Sequence, residues 1–156
     1  MGSCSCGCDC NQKKVKVGLV SCSGEEIPEG TIARIATRLV LEKLRPNESV
    51  AICFPLFIAG GDEERNFAKN YPTITIDGCE KFCAKKGTEK LSGKVCESIE
   101  VRSLLSSKGL EIPKDVKAWE IKAWDTQKLM KYAEVVAQSI AEKIDEISKD
   151  DGRKIK

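Results

Sequence analysis

The sequence contains no histidine, and this absence limits its chemistry more than any other feature of its composition. Without imidazole, the chain has neither the commonest metal ligand nor the commonest acid–base group of proteins. No pair of acidic residues stands in a pattern that would replace histidine, so hydrolytic catalysis has little support. The GxGxxG and P-loop motifs are missing as well, so nucleotide binding also has little support.

Long apolar runs are missing too, since no stretch is long enough to span a bilayer or to form the core of a signal peptide. We therefore expect a cytosolic protein, whose thiols stay reduced. The net charge is +2, with Lys and Arg spread along the chain, so nucleic acid and membranes are not expected partners. A length of 156 residues suits one domain.

Cysteine is abundant, with nine residues, and in a reducing compartment such cysteines are more often ligands or redox groups than disulfides. The low-complexity sequence of residues 1–12 predicts a flexible tail, with alternating thiols at Cys4, Cys6, Cys8 and Cys10. In an extended chain, alternation places all four sulfurs on one side, where they could hold a soft ion such as Zn(II) or Cu(I). The alternative is a mobile tail whose thiols are merely exposed.

Strand-like and helix-like segments alternate along the chain, which predicts βαβ units and a mostly parallel sheet. Predicted strands are Val15–Val20, Ser49–Phe54, Thr73–Ile76 and Ser98–Leu104, and predicted helices are Pro28–Leu44, Asp62–Lys69 and Glu80–Leu91. The expected fold is a three-layer α/β domain of the Rossmann or flavodoxin-like kind, with about four to five strands. We expect this domain to cover residues 13–147, with 113–147 as an extension and 148–156 as a charged tail.

The extension carries both tryptophans of the chain. Trp119 and Trp124 lie in an alternating segment, Val116–Trp124, that predicts an edge strand or a covering segment. A regular apolar stripe then predicts a helix from Asp125 or Thr126 to about Ile147, packed on the sheet. An alternative function follows from this segment: an interaction module whose two tryptophans anchor a protein partner.

The stretch Thr73–Lys86 carries the strongest functional signal. A β-branched strand ends at Asp77-Gly78, and Cys79 and Cys83 follow on what we predict to be one face of a helix. The positive end of a helix favours the thiolate form that binds metals. Cys22 and Cys53 also fall at the carboxyl ends of predicted strands, so all four thiols should meet at the carboxyl edge of the sheet.

Four converging thiolates suit tetrahedral Zn(II), which we favour, and an iron–sulfur cluster is the alternative. Asp77 is expected to fix the turn or cap the following helix, and so to support the ligands rather than bind the metal. Cys96 stands alone at the start of a predicted strand and is expected to be a small buried side chain. A thiol-based redox or sulfur-transfer enzyme with Cys22 or Cys79 as nucleophile is the second functional hypothesis.

Several motifs carry a resemblance to a known family. They are Cys22-Ser23-Gly24, Gly30–Ala33, Cys53 followed by a Gly-Gly pair, Ile76-Asp77-Gly78-Cys79 and Cys83-Ala84-Lys85-Lys86. The chain resembles the DGC family of proposed zinc-binding proteins, named for an Asp-Gly-Cys motif, over about residues 4–113. The resemblance implies a zinc site at Cys22, Cys53, Cys79 and Cys83, and no established activity. The sequence FPLFIAGG after Cys53 is longer than the linker typical of the family.

These observations together predict an accessory protein that handles metal or sulfur, or that supports a larger metalloenzyme system. The expected partner is a metal ion, with a protein partner as a further candidate.

Overall fold

The computed structural model describes residues 16–112, apart from Ser23 and Glu25, and a helix at residues 126–154. The predicted Cys-rich tail at residues 1–12 and the segment with Trp119 and Trp124 lie outside the described residues. What the sequence predicts for these two segments is therefore not tested by the structure.

Within the described residues, four parallel strands form one sheet in the order β2-β1-β3-β4. They are β1 (Val17–Ser21), β2 (Ser49–Ala51), β3 (Thr73–Asp77) and β4 (Glu97–Glu100). In this register, Leu19 lies beside Ala51 on one side and Ile74 on the other. Helices connect successive strands and flank the sheet, which confirms the predicted three-layer α/β fold.

The helices divide between the two faces of the sheet. They are α1 (Pro28–Leu39, continued by a π-helical turn at Val40–Leu44), α2 (Phe54–Ala59), α3 (Asp62–Asn70), α4 (Cys83–Leu91), α5 (Val101–Ser107) and α6 (Thr126–Lys154). Helices α1, α5 and α6 contact one another on one face, and α2, α3 and α4 contact one another on the other. None of the helices in the described ranges has both the length and the apolarity needed to cross a membrane.

Alternation along the strands fills two hydrophobic cores. Leu19, Ile74 and Ile76 are buried towards α1 and α6, whereas Val20 is buried towards the opposite face with Phe57. The predicted apolar stripe of α6 is buried in the first core, and α6 packs mainly on α1. The interpretation of α6 as a helix packed on the domain is therefore confirmed, although the helix continues past Ile147 to Lys154.

The second strand is shorter than predicted. It ends at Ala51 rather than Phe54, and Phe54–Ala59 forms α2. Pro55 is accommodated in the first turn of α2, where a backbone N–H has no intrahelical acceptor. Gly60, at φ 110°, ends the helix in the left-handed region that glycine tolerates.

The fourth strand is also shorter than predicted, because Val101–Leu104 belongs to α5. The carboxylate of Glu100 accepts hydrogen bonds from the backbone N–H groups of Arg102 and Ser103, at 3.0 and 2.9 Å. This side-chain cap starts a helix directly after the strand. Helix α3, in contrast, begins after Gly61 without a side-chain cap, and Asp62 lies in its first turn.

Three glycines allow close backbone contacts at the carboxyl edge of the sheet. Gly24 lies in the β1–α1 connection, Gly30 lies in the first turn of α1, and Gly78 directly follows β3. A Cβ atom on Gly78 would lie 2.7 Å from the backbone N of Gly30, and one on Gly30 would lie 2.0 Å from the carbonyl oxygen of Gly24. Only glycine permits this close approach of the start of α1 to the loop after β1 and to the turn after β3.

We expect Gly78→Ala to lower the free energy of unfolding by about 1–3 kcal/mol, because its Cβ would collide with backbone atoms that cannot move independently. The matched control is Gly93→Ala, whose Cβ would have no neighbour closer than 3.8 Å. Urea denaturation of both variants measures the difference. Equal losses in the two variants would contradict the argument.

Candidate functional site

Three of the predicted site cysteines follow neighbouring strands at the same edge of the sheet. Cys22 comes directly after β1, and Cys53 and Cys79 each come two residues after β2 and β3. The strands are adjacent in the order β2-β1-β3, and neighbouring strands are about 4.8 Å apart. Because the three strands are parallel and adjacent, their carboxyl ends all lie at this edge of the sheet.

A cavity of about 460 Å³ opens beside these strand ends. Its lining includes Cys22, Cys79 and Cys83, together with Asp77 and Gly78. The cavity lies where the chain order reverses on the two sides of β1, which is the usual position of ligand sites in open parallel sheets. Cys53 does not line the cavity; it is exposed and directly precedes Phe54, which does.

Cys22 is the buried thiol of the site. Its Sγ accepts a hydrogen bond from the backbone N–H of Gly78 at 3.3 Å. Burial raises the pKa of Cys22, although backbone hydrogen bonds from Gly24 and Gly78 partly offset this effect. Burial therefore disfavours the thiolate of Cys22, although backbone donors are already placed to stabilise it.

The arrangement of Cys79 and Cys83 differs from the prediction. Helix α4 begins at Cys83 rather than at Glu80, so the two cysteines do not share a helix face. Between them the chain forms a turn in which Phe82, at φ 51°, adopts the left-handed conformation. Both residues nevertheless line the cavity, with Cys79 partly buried and Cys83 exposed.

Asp77 fixes the start of α4. Its two carboxylate oxygens accept hydrogen bonds from the backbone N–H groups of Ala84 (2.7 Å) and Lys85 (3.1 Å). These are N–H groups of the first helical turn, which have no intrahelical acceptor. Burial raises the pKa of Asp77, and the two N–H donors oppose that shift. The predicted helix-capping role of Asp77 is confirmed.

An ion pair at the cavity was not predicted from the sequence. Arg102, on α5, lines the cavity and donates from Nε to Oε1 of Glu29 at 2.9 Å. Its Nη1 atom lies 3.6 Å from Oε2 of Glu80. Glu29 is buried in the first turn of α1, where a charged side chain needs a partner. No local pattern could pair two residues 73 positions apart.

The thiols suit a soft metal ion chemically, but they are not assembled around one. In the part of the chain that the structure describes, no group of three or more Cys, Asp or Glu side chains is close enough to hold a metal ion. Binding of one metal ion by all four cysteines would therefore require their thiols to move closer together.

Cys96 does not match its prediction. It was expected to be buried, but it is exposed and precedes β4. Its backbone N–H donates to the carbonyl of Thr73, the first residue of β3, so Cys96 lies at the amino edge of the sheet. This position is on the edge opposite to the cavity.

Comparison with known proteins identifies a family for this chain. A family model described as the DGC domain matches residues 18–144. The match extends beyond Pro113, where the resemblance in the sequence stopped, and so includes most of α6. No significant match was found among curated proteins or solved structures. Because the family model covers more than half of the 156 residues, this chain belongs to the DGC-domain family.

Proposed function

We propose that this protein binds a metal ion, preferably Zn(II), through the thiolates of Cys22, Cys53, Cys79 and Cys83. The observation that carries the proposal is that three of these cysteines line one cavity at the carboxyl edge of the sheet. The fourth, Cys53, directly precedes a residue of the same lining. An iron–sulfur cluster would use the same four ligands together with sulfide.

The surroundings of Cys22 support a thiolate ligand. The backbone N–H of Gly78 lies 3.3 Å from its sulfur, and Gly24 contributes a second backbone hydrogen bond. Such bonds orient a metal ligand and delocalise its charge. Asp77 supports the site indirectly, because its hydrogen bonds fix the first turn of α4 and thereby the position of Cys83.

Unequal exposure of the cysteines supports metal handling over a purely structural role. Cys22 is buried, whereas Cys53 and Cys83 are exposed. Structural zinc sites are closed, but exposed ligands can be reached by a competing thiol that takes the metal away. We therefore propose an accessory role in metal or sulfur handling, or in support of a metalloenzyme. Cys4, Cys6, Cys8 and Cys10 are proposed as auxiliary thiols.

The alternative of a thiol-based redox or sulfur-transfer enzyme has a weaker basis at Cys22. This thiol is buried, and burial raises its pKa, so little nucleophilic thiolate forms near pH 7. Cys79, which is partly buried and lines the cavity, is the better candidate nucleophile. An interaction module built on Trp119 and Trp124 concerns residues outside the described ranges.

The metal content of anaerobically purified protein tests the proposal directly. We expect about one zinc ion per chain and no acid-labile sulfide. Iron with matching sulfide and a visible chromophore would instead favour the cluster. The absence of both metal and sulfide would contradict the metal-binding proposal and would favour the thiol enzyme.

Cys79→Ser is expected to remove most of the bound metal, because serine lacks the soft sulfur donor. Cys96→Ser is the matched control, since this exposed thiol lies on the opposite edge of the sheet. Metal analysis of both variants after identical purification makes the comparison. Unchanged stoichiometry in Cys79→Ser would refute the assignment of the site.

In metal-free protein, we expect Cys22 to react with iodoacetamide more slowly than Cys83, because Cys22 is buried and its thiolate is disfavoured. Trypsin releases Cys22 in a peptide of residues 17–34 and Cys83 in one of residues 82–85. Mass spectrometry can therefore follow the two thiols separately. Faster alkylation of Cys22 would instead support its role as a nucleophile.

A further inference from the structure

We propose that Arg102 positions the Cys79 turn (residues 78–82) and supplies the positive charge that balances an anionic metal–thiolate centre in the cavity. This inference rests on the proposed metal-binding function and adds to it a residue that is not a ligand. Arg102 lies in the first turn of α5, and its side chain lines the cavity together with Cys79.

The buried carboxylate of Glu29 fixes the position of the Arg102 side chain. Nε donates to Oε1 of Glu29 at 2.9 Å, and the Glu29 side chain is only 9% exposed. Glu29 belongs to the first turn of α1, whose backbone packs against Gly78. The guanidinium is therefore joined to the same first turn of α1 that contacts Gly78, directly after β3.

The other end of the guanidinium meets the Cys79 turn. Nη1 lies 3.6 Å from Oε2 of Glu80, the residue next to Cys79. Arg102 thus links α1 to this turn through two carboxylates. The Glu80 side chain is 73% exposed, and exposed ion pairs contribute little to stability. The pair with the buried Glu29 is therefore the stronger of the two, and the pair with Glu80 adds a weaker contact to the turn.

Charge gives the same residue a second role. A divalent metal with four thiolates carries two net negative charges, which a nearby cation stabilises. The pKa of Arg102 is raised chiefly by its hydrogen bond to Glu29, with smaller contributions from Glu80 and Cys79. Lys81 is another cation of the lining, but only Arg102 is shown joined to a buried carboxylate at this cavity within the described residues.

Metal affinity provides the first test. We expect Arg102→Gln to raise the zinc dissociation constant by about 10- to 100-fold, as for other residues that support metal ligands. Chelator competition measures this change. The matched control is Arg45→Gln, which removes a guanidinium joined to Asp145 at 2.7 Å, near the start of β2 and away from the cavity. This control should leave zinc affinity unchanged.

A second test uses metal-free protein. Iodoacetate is anionic and iodoacetamide is neutral, but both alkylate the same thiolate. The measured ratio is the rate constant for iodoacetate divided by that for iodoacetamide, and it does not depend on the thiolate fraction. Trypsin releases a peptide of residues 70–81 in which Cys79 is the one cysteine, so the ratio at Cys79 can be measured separately. Arg102→Gln should lower this ratio about threefold at low ionic strength, because the anionic reagent loses a nearby cation.

Two references make the second test specific. The same ratio at Cys96, on the opposite edge of the sheet, should not change. Arg102→Lys should nearly preserve the ratio at Cys79, because it keeps the charge. It should still weaken zinc binding, because lysine lacks the planar group that joins Glu29 and Glu80.

The outcomes separate this inference from the proposed function. If the wild-type protein binds no metal but Arg102→Gln lowers the ratio at Cys79, the four-cysteine site fails and the charge role of Arg102 stands. An unchanged ratio at Cys79, or an equal fall at Cys96, would overturn that charge role. If Arg102→Gln does not fold, Arg102→Lys decides the positioning role: unchanged zinc affinity would overturn it.

Discussion

The close approach of two backbone segments at Gly24, Gly30 and Gly78 is the constraint on which the candidate site depends. It packs the first turn of α1 against the turn after β3, beside the cavity that Cys22 and Cys79 line. It also places the N–H of Gly78 within hydrogen-bond distance of the Cys22 sulfur. The Asp-Gly-Cys motif therefore has three separable roles: Asp77 caps α4, Gly78 permits the contact, and Cys79 lines the cavity.

Much of this arrangement follows from local sequence patterns combined with one topological rule. The β-branched run before Asp77 marks a buried strand, and regular alternation with helices implies parallel strands. Parallel strands end at one edge, so residues that follow them must gather there whatever the details of packing. For this reason the edge positions of Cys22, Cys53 and Cys79, and the capping by Asp77, could be predicted.

Other features depend on tertiary contacts that leave no local signal. The turn before α4 requires a left-handed Phe82, which the sequence does not favour, and so the helix start at Cys83 was missed. The apolar run after Cys53 is compatible with strand or helix, and packing against the second core decides for α2. The pairing of Arg102 with Glu29 joins residues that only the folded chain brings together.

The candidate site therefore has a fixed part and an adjustable part. Cys22 and Asp77 are buried and held by backbone hydrogen bonds, whereas Cys53 and Cys83 are exposed. If the four cysteines bind one metal ion, as proposed, the ion must order the exposed thiols as it binds, and this ordering reduces the net affinity. The same adjustability leaves the exposed ligands accessible to a competing thiol. A partly preformed site of this kind suits reversible metal transfer better than permanent stabilisation of the fold, because the buried core forms from apolar contacts that do not involve the exposed cysteines.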